Sequence, residues 1–146
     1  EAVEQVKKLW KNAEARVADG CNLPFEDKSV DFVFSNAVIE HIDKRRRKLF
    51  AKEVGRVARK GYFITTPNYW FPFEPHYLCP FFQYLPEVFK IFFKRYLALG
   101  HYGKGYYQKI NLLTKKELKN LFPKANTIGI KMTRFIPETL ISYEKY

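Results

Sequence analysis

Cysteine is scarce in this chain, and its scarcity excludes two classes of small protein. Cys21 and Cys79 are the only cysteines, and they lie far apart in the sequence. A disulfide framework and a cysteine-rich zinc site both require more cysteines in a regular spacing. The sequence therefore indicates a core held by ordinary packing and predicts a cytoplasmic location.

Long apolar runs and acidic residues are also few. Prolines and charged residues interrupt the most apolar region, residues 77–99, so it lacks the pattern of a membrane-spanning helix. Asp and Glu number 15 against 26 Lys and Arg, and the resulting formal net charge of +11 favours anionic partners. With 146 residues, of which 47% are hydrophobic, the chain is long enough for one domain with a core.

Apolar spacing predicts alternating helices and strands in the first part of the chain. An amphipathic helix comes first, followed by a short strand at 16–19 and a strand at 30–35 that is buried on both faces. A helix at 44–58 is capped by Asp43 and ended by Gly61, and the strand YFITTP follows. This order indicates an α/β sheet wound by crossovers. The inward stripe of the second helix consists of Leu49, Phe50, Val54 and Val57.

The composition changes after residue 68. Residues 69–109 are dense in aromatic residues and proline, and we interpret them as an inserted lid with a basic amphipathic helix that begins at Pro86. Thr114 and Glu117 form a capping box for a further helix, and the tail predicts two antiparallel strands. The chain thus divides into a core portion at 1–68, the lid at 69–109, and a portion at 110–146 that completes the same domain.

The stretch ADGCNLPFEDKSVDFVFSNAVIEHI places polar residues where strands end. In an open parallel α/β sheet, ligands bind beyond the carboxyl ends of the strands. The carboxylate of Asp19 can accept a hydrogen bond from an exocyclic amine, and Gly20 permits close approach of the backbone to a ligand. Asn36 and Ala37 follow the next strand, and His41 lies just beyond it, where a second ligand would meet the first.

Together with EVGRVARKGYFITTPN, this stretch resembles class I S-adenosylmethionine-dependent methyltransferases of the small-molecule branch called type 11. The resemblance covers residues 1–68 and extends to 114–146. It implies a partial Rossmann-like methyltransferase sheet, mostly parallel with antiparallel C-terminal strands, and S-adenosylmethionine as the cofactor. It also implies a structural pair, Glu53 with Arg56. The cofactor-binding residues that it implies are Asp19, Gly20, Cys21, Leu23 and Phe25 on the adenine side, and Asn36 and Ala37 on the methionine side.

The family's glycine-rich loop and the acidic residue that holds the ribose have no counterpart in this sequence. We therefore expect a fragment, a degenerate relative, or half of a site that another chain completes. In the family's sheet the missing strands would lie between the strand at 16–19 and the strand at 30–35. The latter strand would then have an open edge, which can pair directly with the strand at 16–19, with another copy or with another chain.

Several residues have two interpretations each. His41 is the candidate catalytic residue, as a general base, or it is a structural histidine held by hydrogen bonds. Tyr69, Trp70 and His76 are candidate substrate contacts, although lid aromatics can also pack on one another. The run KRRRK at 44–48 indicates either a nucleic-acid contact or a solvated helix face. Cys79 and the histidines of the lid lack the spacing of a metal site, and we predict none.

The leading hypothesis is S-adenosylmethionine-dependent methyl transfer to a small-molecule or lipid-linked acceptor. The alternative, from another class, is a non-catalytic methyltransferase-like module that binds a partner chain, nucleic acid or a membrane surface. The expected partners are therefore the acceptor and a second copy or second chain that completes the sheet. Nucleic acid and peripheral membrane contact stay open because of the net charge of +11.

Overall fold

The computed structural model describes residues 2–9, 11–74, 79–86, 88–91, 110–130 and 139–146. The strands are β1 (Val30–Asn36), β2 (Ala58–Pro67), β3 (Phe73–Glu74), β4 (Cys79–Pro80), β5 (Asn126–Ile130) and β6 (Thr139–Lys145). The helices are α1 (Ala2–Leu9), α2 (Arg47–Val57) and α3 (Lys115–Leu121), with two 3-10 turns, η1 (Ile39–His41) and η2 (Phe82–Tyr84). No helix among these residues is both long enough and apolar enough to cross a bilayer.

Four strands form one mixed sheet in the order β1-β2-β6-β5. β1 and β2 are parallel and are joined through η1 and α2, whereas β6 is antiparallel to both β2 and β5. β3 and β4 form a separate antiparallel pair. The α/β class and the antiparallel C-terminal strands are confirmed, although only one of the three strand pairs in the described sheet is parallel.

The core lies on one face of the sheet, beneath α2 and α3. Phe50 and Val54 of α2 and Leu118 of α3 pack in one buried cluster with the sheet residues Tyr62, Ile64 and Leu140. The capping box that begins α3 is confirmed, because the Glu117 amide donates to Thr114 Oγ1 at 3.2 Å and the Thr114 amide donates to Glu117 Oε2 at 2.8 Å.

The other face of the sheet is apolar and exposed. The register places Phe34, Phe63 and Tyr143 side by side, and their rings stack with centroids 5.9 Å and 6.4 Å apart. Phe32 and Phe34 of β1 are 57% and 69% exposed. The prediction that this strand is buried on both faces is therefore wrong, because the described helices cover only one face. Among the described strands, β1 pairs with β2 alone, so its other edge is open.

The predicted strand at 16–19 is wrong. Residues 16–18 have no regular structure, and Val17 is 90% exposed. Asp19 forms only an isolated bridge with Asn22, which closes a turn through the Asn22 amide and the Asp19 carbonyl at 2.9 Å. Within the described residues no strand lies beside this segment, so its backbone has no ladder to join.

Three details of α2 and its surroundings also differ from the predictions. The helix begins at Arg47 and not at residue 44, because residues 43–46 form a separate turn. In this turn the Asp43 carbonyl accepts from the Arg46 amide at 2.8 Å. Leu49, which was predicted to face inward, is exposed. Arg47, which belongs to the basic run KRRRK, is buried. Gly61 does not end the helix but lies inside β2, where a Cβ would come within 2.2 Å of the Glu144 carbonyl oxygen.

Some predictions can be checked only in part. Residues 88–91 are helical, and the Phe89 and Lys90 amides both donate to the Pro86 carbonyl, so the predicted start of the lid helix is confirmed. The rest of that helix, His76, His101 and Pro137 lie outside the described residues. Both tail strands are present and antiparallel, as predicted.

Candidate functional site

The first part of the candidate site is the tight turn at Asp19. Its carboxylate Oδ1 accepts from the Cys21 amide at 2.9 Å, and its Oδ2 accepts from Arg46 at 2.5 Å. Both side chains of this ion pair are about half exposed. The hydrogen bond from Arg46 is the main reason that the pKa of Asp19 lies below its usual range, with the Cys21 amide second. At neutral pH, Asp19 is therefore an ionised acceptor at the surface.

One side of α2 holds the loop that follows this turn. A Cβ on Gly20 would lie 3.2 Å from the Phe50 ring, so the absence of a side chain lets the turn lie close to the helix. Further along, the Leu23 amide donates to Glu53 Oε2 at 2.8 Å, and Arg56 donates to the carbonyls of Leu23 and Phe25. The residues of α2 and its N-cap that hold the loop are Arg46, Phe50, Glu53 and Arg56.

The Glu53–Arg56 pair is confirmed as a structural pair. Two hydrogen bonds of 2.8 Å join the two side chains, and both partners are mostly buried. The pair with Arg56 lowers the pKa of Glu53 from 4.5 to about 2, with the Leu23 amide adding to the effect. This pair fixes the loop at Leu23. Glu53 lies seven residues after Arg46, so the Leu23 contact is on the order of 10 Å along the helix from the Asp19 contact.

Asn36 and Ala37 lie at the carboxyl end of β1, as predicted. Thr65 of β2 donates to Asn36 Oδ1 at 2.5 Å, and the Ala37 amide donates to the Thr65 carbonyl at 3.1 Å. Ala37 has a φ of +53°, in the left-handed region that residues other than glycine rarely adopt. Backbone strain of this kind concentrates at functional sites, so Ala37 is a candidate contact through its backbone.

His41 ends η1, directly before the turn that leads into α2. The preceding residue, Glu40, is completely buried and accepts from Thr66 Oγ1 at 2.9 Å through Oε2. The Glu40 carbonyl also accepts from the Asn111 amide at 2.9 Å, and Arg47 donates to the Asn111 carbonyl. These contacts tie η1 to β2 and to the chain that returns from the lid, so His41 has a fixed place at the carboxyl edge of the sheet.

Aromatic side chains gather where β2 ends. Tyr69 forms edge-to-face contacts with Trp70 and Tyr84, with ring centroids 5.2 Å and 5.4 Å apart, and Tyr84 also donates to the Tyr69 carbonyl at 3.2 Å. Trp70 and Phe81 remain more than half exposed. We call Tyr69, Trp70, Phe81 and Tyr84 the aromatic cluster; it packs on itself and still offers exposed ring surface, as expected.

The structure therefore places most of the candidates at one edge. The carboxyl edge of the parallel pair holds the strand ends at Asn36 and Pro67, η1 and the N-terminus of α2. Asp19 lies at the same edge, in contact with Arg46 at the start of α2. Leu23 and Phe25 lie away from this edge, in the loop beside Glu53 and Arg56 of α2. The contact of Arg46 was not predicted, because the run KRRRK was interpreted as a whole, as either a nucleic-acid contact or a solvated helix face. The spacing of Arg46, four and seven residues from Phe50 and Glu53, placed it on the same helix side.

Within the described residues, no three His, Cys, Asp or Glu side chains are grouped to hold a metal ion. Cys21 is buried, and burial raises the pKa of its thiol. Its Sγ lies 3.6 Å from the Arg46 carbonyl at the start of α2, and its backbone amide donates to the Asp19 carboxylate.

Comparison with known proteins agrees with this geometry. Residues 1–65 match the family model of the methyltransferase domain. The chain has the fold of class I S-adenosylmethionine-dependent methyltransferases. A methyltransferase structure from Methanosarcina mazei has a TM-score of 0.63 at 17% identity and covers 99% of this chain and 76% of its own. A methyltransferase structure from Aquifex aeolicus has a TM-score of 0.58 at 16% identity and covers 97% of this chain and 60% of its own. The predicted family resemblance and fold class are confirmed, and these similar structures are S-adenosylmethionine-dependent methyltransferases, in agreement with the predicted cofactor.

Curated relatives are similar in sequence over most of the chain. An uncharacterized protein of Mycobacterium tuberculosis is 31% identical over 114 residues, which cover 74% of this chain. The chain spans 38% of that relative's length. Another similar structure, at a TM-score of 0.52 and 13% identity, is a methyltransferase from Haloferax volcanii in complex with the Trm112 methyltransferase activator; it covers 98% of this chain and 66% of its own.

Proposed function

We propose that this methyltransferase-fold chain supplies the adenine side and the acceptor side of a methyl-transfer site for a small-molecule or lipid-linked acceptor. The observation that carries the proposal is the Asp19 turn, which packs against Phe50 and the start of α2 beside the carboxyl ends of β1 and β2. An ionised, half-exposed carboxylate at this edge fits the exocyclic amine of adenine. The site needs S-adenosylmethionine to supply the electrophilic methyl group.

Each residue has a proposed role. Asp19 accepts the adenine amine, and the backbone of Gly20 and Cys21 lies beside the ring, with Leu23 as part of its wall. Asn36 and Ala37, at the end of β1, contact the methionine side. Alignment and exclusion of water account for most of the acceleration expected for methyl transfer to a good nucleophile.

On the acceptor side, His41 takes the proton that the acceptor loses, if the acceptor carries one at the reacting atom. Tyr69 and Trp70 contact the body of the acceptor, and His76 belongs to the same proposal although it lies outside the described residues. The exposed rings of the aromatic cluster favour an apolar acceptor or lipid chain. The net charge of +11 favours an anionic group on it and a peripheral contact with anionic lipid. A cytoplasmic location stays part of this proposal.

The proposal is tested with adenosine, because adenosine needs only the adenine side. Nuclear magnetic resonance titration of the chain with millimolar adenosine should shift the amides of residues 19–23. Inosine is the matched control, since its 6-position carries a carbonyl, which cannot donate to Asp19, where adenosine carries the amine, and its N1 carries a proton where that of adenosine is an acceptor. Equal shifts with the two nucleosides, or none with either, would contradict the proposed adenine site.

A second candidate function is a non-catalytic module that binds a partner chain. The open edge of β1 and the exposed stack of Phe34, Phe63 and Tyr143 favour it, since exposed apolar edges recruit further polypeptide. The Haloferax volcanii relative was solved with an activator chain. Binding of a partner with no adenosine preference over inosine would support this second function instead.

A further inference from the structure

Arg46 donates to the carboxylate oxygen of Asp19 that the proposed adenine amine would use. Arg46 donates to Oδ2 of Asp19 at 2.5 Å, while Oδ1 is already held by the Cys21 amide at 2.9 Å. The Cys21 amide therefore fixes the orientation of the carboxylate within its own turn, and Arg46 donates to the oxygen that the turn leaves open. A neutral purine amine that approaches this oxygen meets the guanidinium that already donates to it.

We propose that Arg46 is a gate on the adenine side, which must leave Asp19 Oδ2 before a purine amine can bind there. This inference rests on the proposed function. It assigns to Arg46 the opposite effect from an ordinary binding residue: the arginine lowers nucleoside affinity, and removing it raises that affinity.

The surroundings of Arg46 permit the movement. Arg46 is the N-cap residue of α2, and its carbonyl anchors the helix by accepting from the Leu49 and Phe50 amides at 2.9 Å and 3.1 Å. The backbone is thus fixed while the side chain extends into solvent and is half exposed. An exposed ion pair of this kind is weak and is screened by salt, so opening it requires little free energy.

Arg45 provides a matched control one residue away. It pairs with Asp43, its side chain is 90% exposed, and it makes no described contact with Asp19. Arg45→Ala therefore removes the same charge from the same turn and leaves the Asp19 carboxylate as it is. Any effect of net charge on nucleoside affinity appears equally in Arg45→Ala and Arg46→Ala.

The experiment measures adenosine and inosine dissociation constants of the full chain by nuclear magnetic resonance titration, for wild type, Arg46→Ala and Arg45→Ala. Arg46→Ala should bind adenosine about two- to fivefold more tightly, and Arg45→Ala should match wild type. Raising salt from about 50 to about 500 mM should tighten wild-type binding and leave Arg46→Ala unchanged, because salt screens only the competing pair.

Three results would overturn the gate. The first is an adenosine affinity in Arg46→Ala that equals or falls below that of wild type. If adenosine is still preferred over inosine, this result overturns the gate alone and leaves the proposed function in place. Loss of that preference in every variant would overturn both. As a readout that needs no nucleoside, carbon-detected titration of the Asp19 carboxyl should show a higher midpoint in Arg46→Ala. An unchanged midpoint would show that the pair does not form in solution and would also overturn the gate.

Discussion

Arg56 and Glu53, three residues apart on α2, form a paired contact of two 2.8 Å hydrogen bonds that also holds the backbone of Leu23 from both sides. Glu53 accepts from the Leu23 amide, and Arg56 donates to the Leu23 carbonyl. A pair that satisfies both backbone groups of one loop residue fixes that loop without burying apolar surface.

The first prediction concerns acid. The pKa of Glu53 falls from 4.5 to about 2 on folding, mainly through Arg56, so Glu53 adds stability above about pH 4.5 that is lost as the pH falls towards 2. Wild type and Glu53→Gln should differ most in free energy of unfolding near pH 6, and the difference should shrink near pH 3. Urea denaturation at the two pH values measures it, and a constant difference would contradict the role of the pair.

The second prediction concerns two glycines. Gly61→Ala places a Cβ 2.2 Å from the Glu144 carbonyl oxygen at a φ of +155°, and should destabilise the chain by at least about 2 kcal/mol. Gly55→Ala is the control, because its Cβ would meet only Tyr146 at 3.9 Å inside a helix, and it should stabilise by about 0.5–1 kcal/mol. Thermal denaturation should separate the two, and similar melting temperatures would refute the close approach at Gly61.

The third prediction separates the two sides of the proposed site. Asp19→Ala should weaken adenosine binding by about tenfold or more, because the amine loses its charged acceptor. His41→Ala should leave adenosine affinity unchanged, since His41 belongs to the acceptor side. Equal losses in the two variants would refute this division.

The fourth prediction concerns the cofactor itself. Calorimetry should detect weak binding or none when S-adenosylmethionine is added to the 146-residue chain, because the sequence has no glycine-rich loop to hold the methionine end. Micromolar binding would show that the described half of the site is sufficient.

The fifth prediction is self-association of the isolated chain through the exposed sheet face. Light scattering after size exclusion should give a mass above 17.4 kDa, and Phe32→Ser with Phe34→Ser should reduce it. Leu49→Ser is the control, because Leu49 is exposed on α2 away from that face. A stable wild-type monomer would count against any role of the face in association.

Local signals predicted most of the elements that form. The capping box at Thr114, the apolar strand at 30–36 and the tail strands each depend on residues close in sequence, and all three are present. The strand at 16–19 failed because a strand needs a neighbour, and its own residues do not encode whether one is there.

The sequence indicated where several candidate residues lie, but not which side chains they contact. Asp19, Asn36 and His41 lie at strand ends and turns that a motif can mark, whereas the Arg46 contact joins residues 27 apart. Such a contact depends on how the loop lies along α2, and that follows from Gly20 against Phe50 and from Leu23 between Glu53 and Arg56. Arg47 differs from the other basic residues around it for the same reason, because it faces Asn111 from the returning chain.

The lid is joined to the sheet at adjacent points. Asn68 and Leu113 form a parallel bridge, and the Tyr69 amide donates to the Leu113 carbonyl at 3.0 Å, so the chain leaves and re-enters the core side by side. A segment attached in this way can change in length or sequence without shifting the strand register on which the core depends. Under the proposed function this segment carries the acceptor contacts, so a change of acceptor can be selected without a change in the strands that form the core.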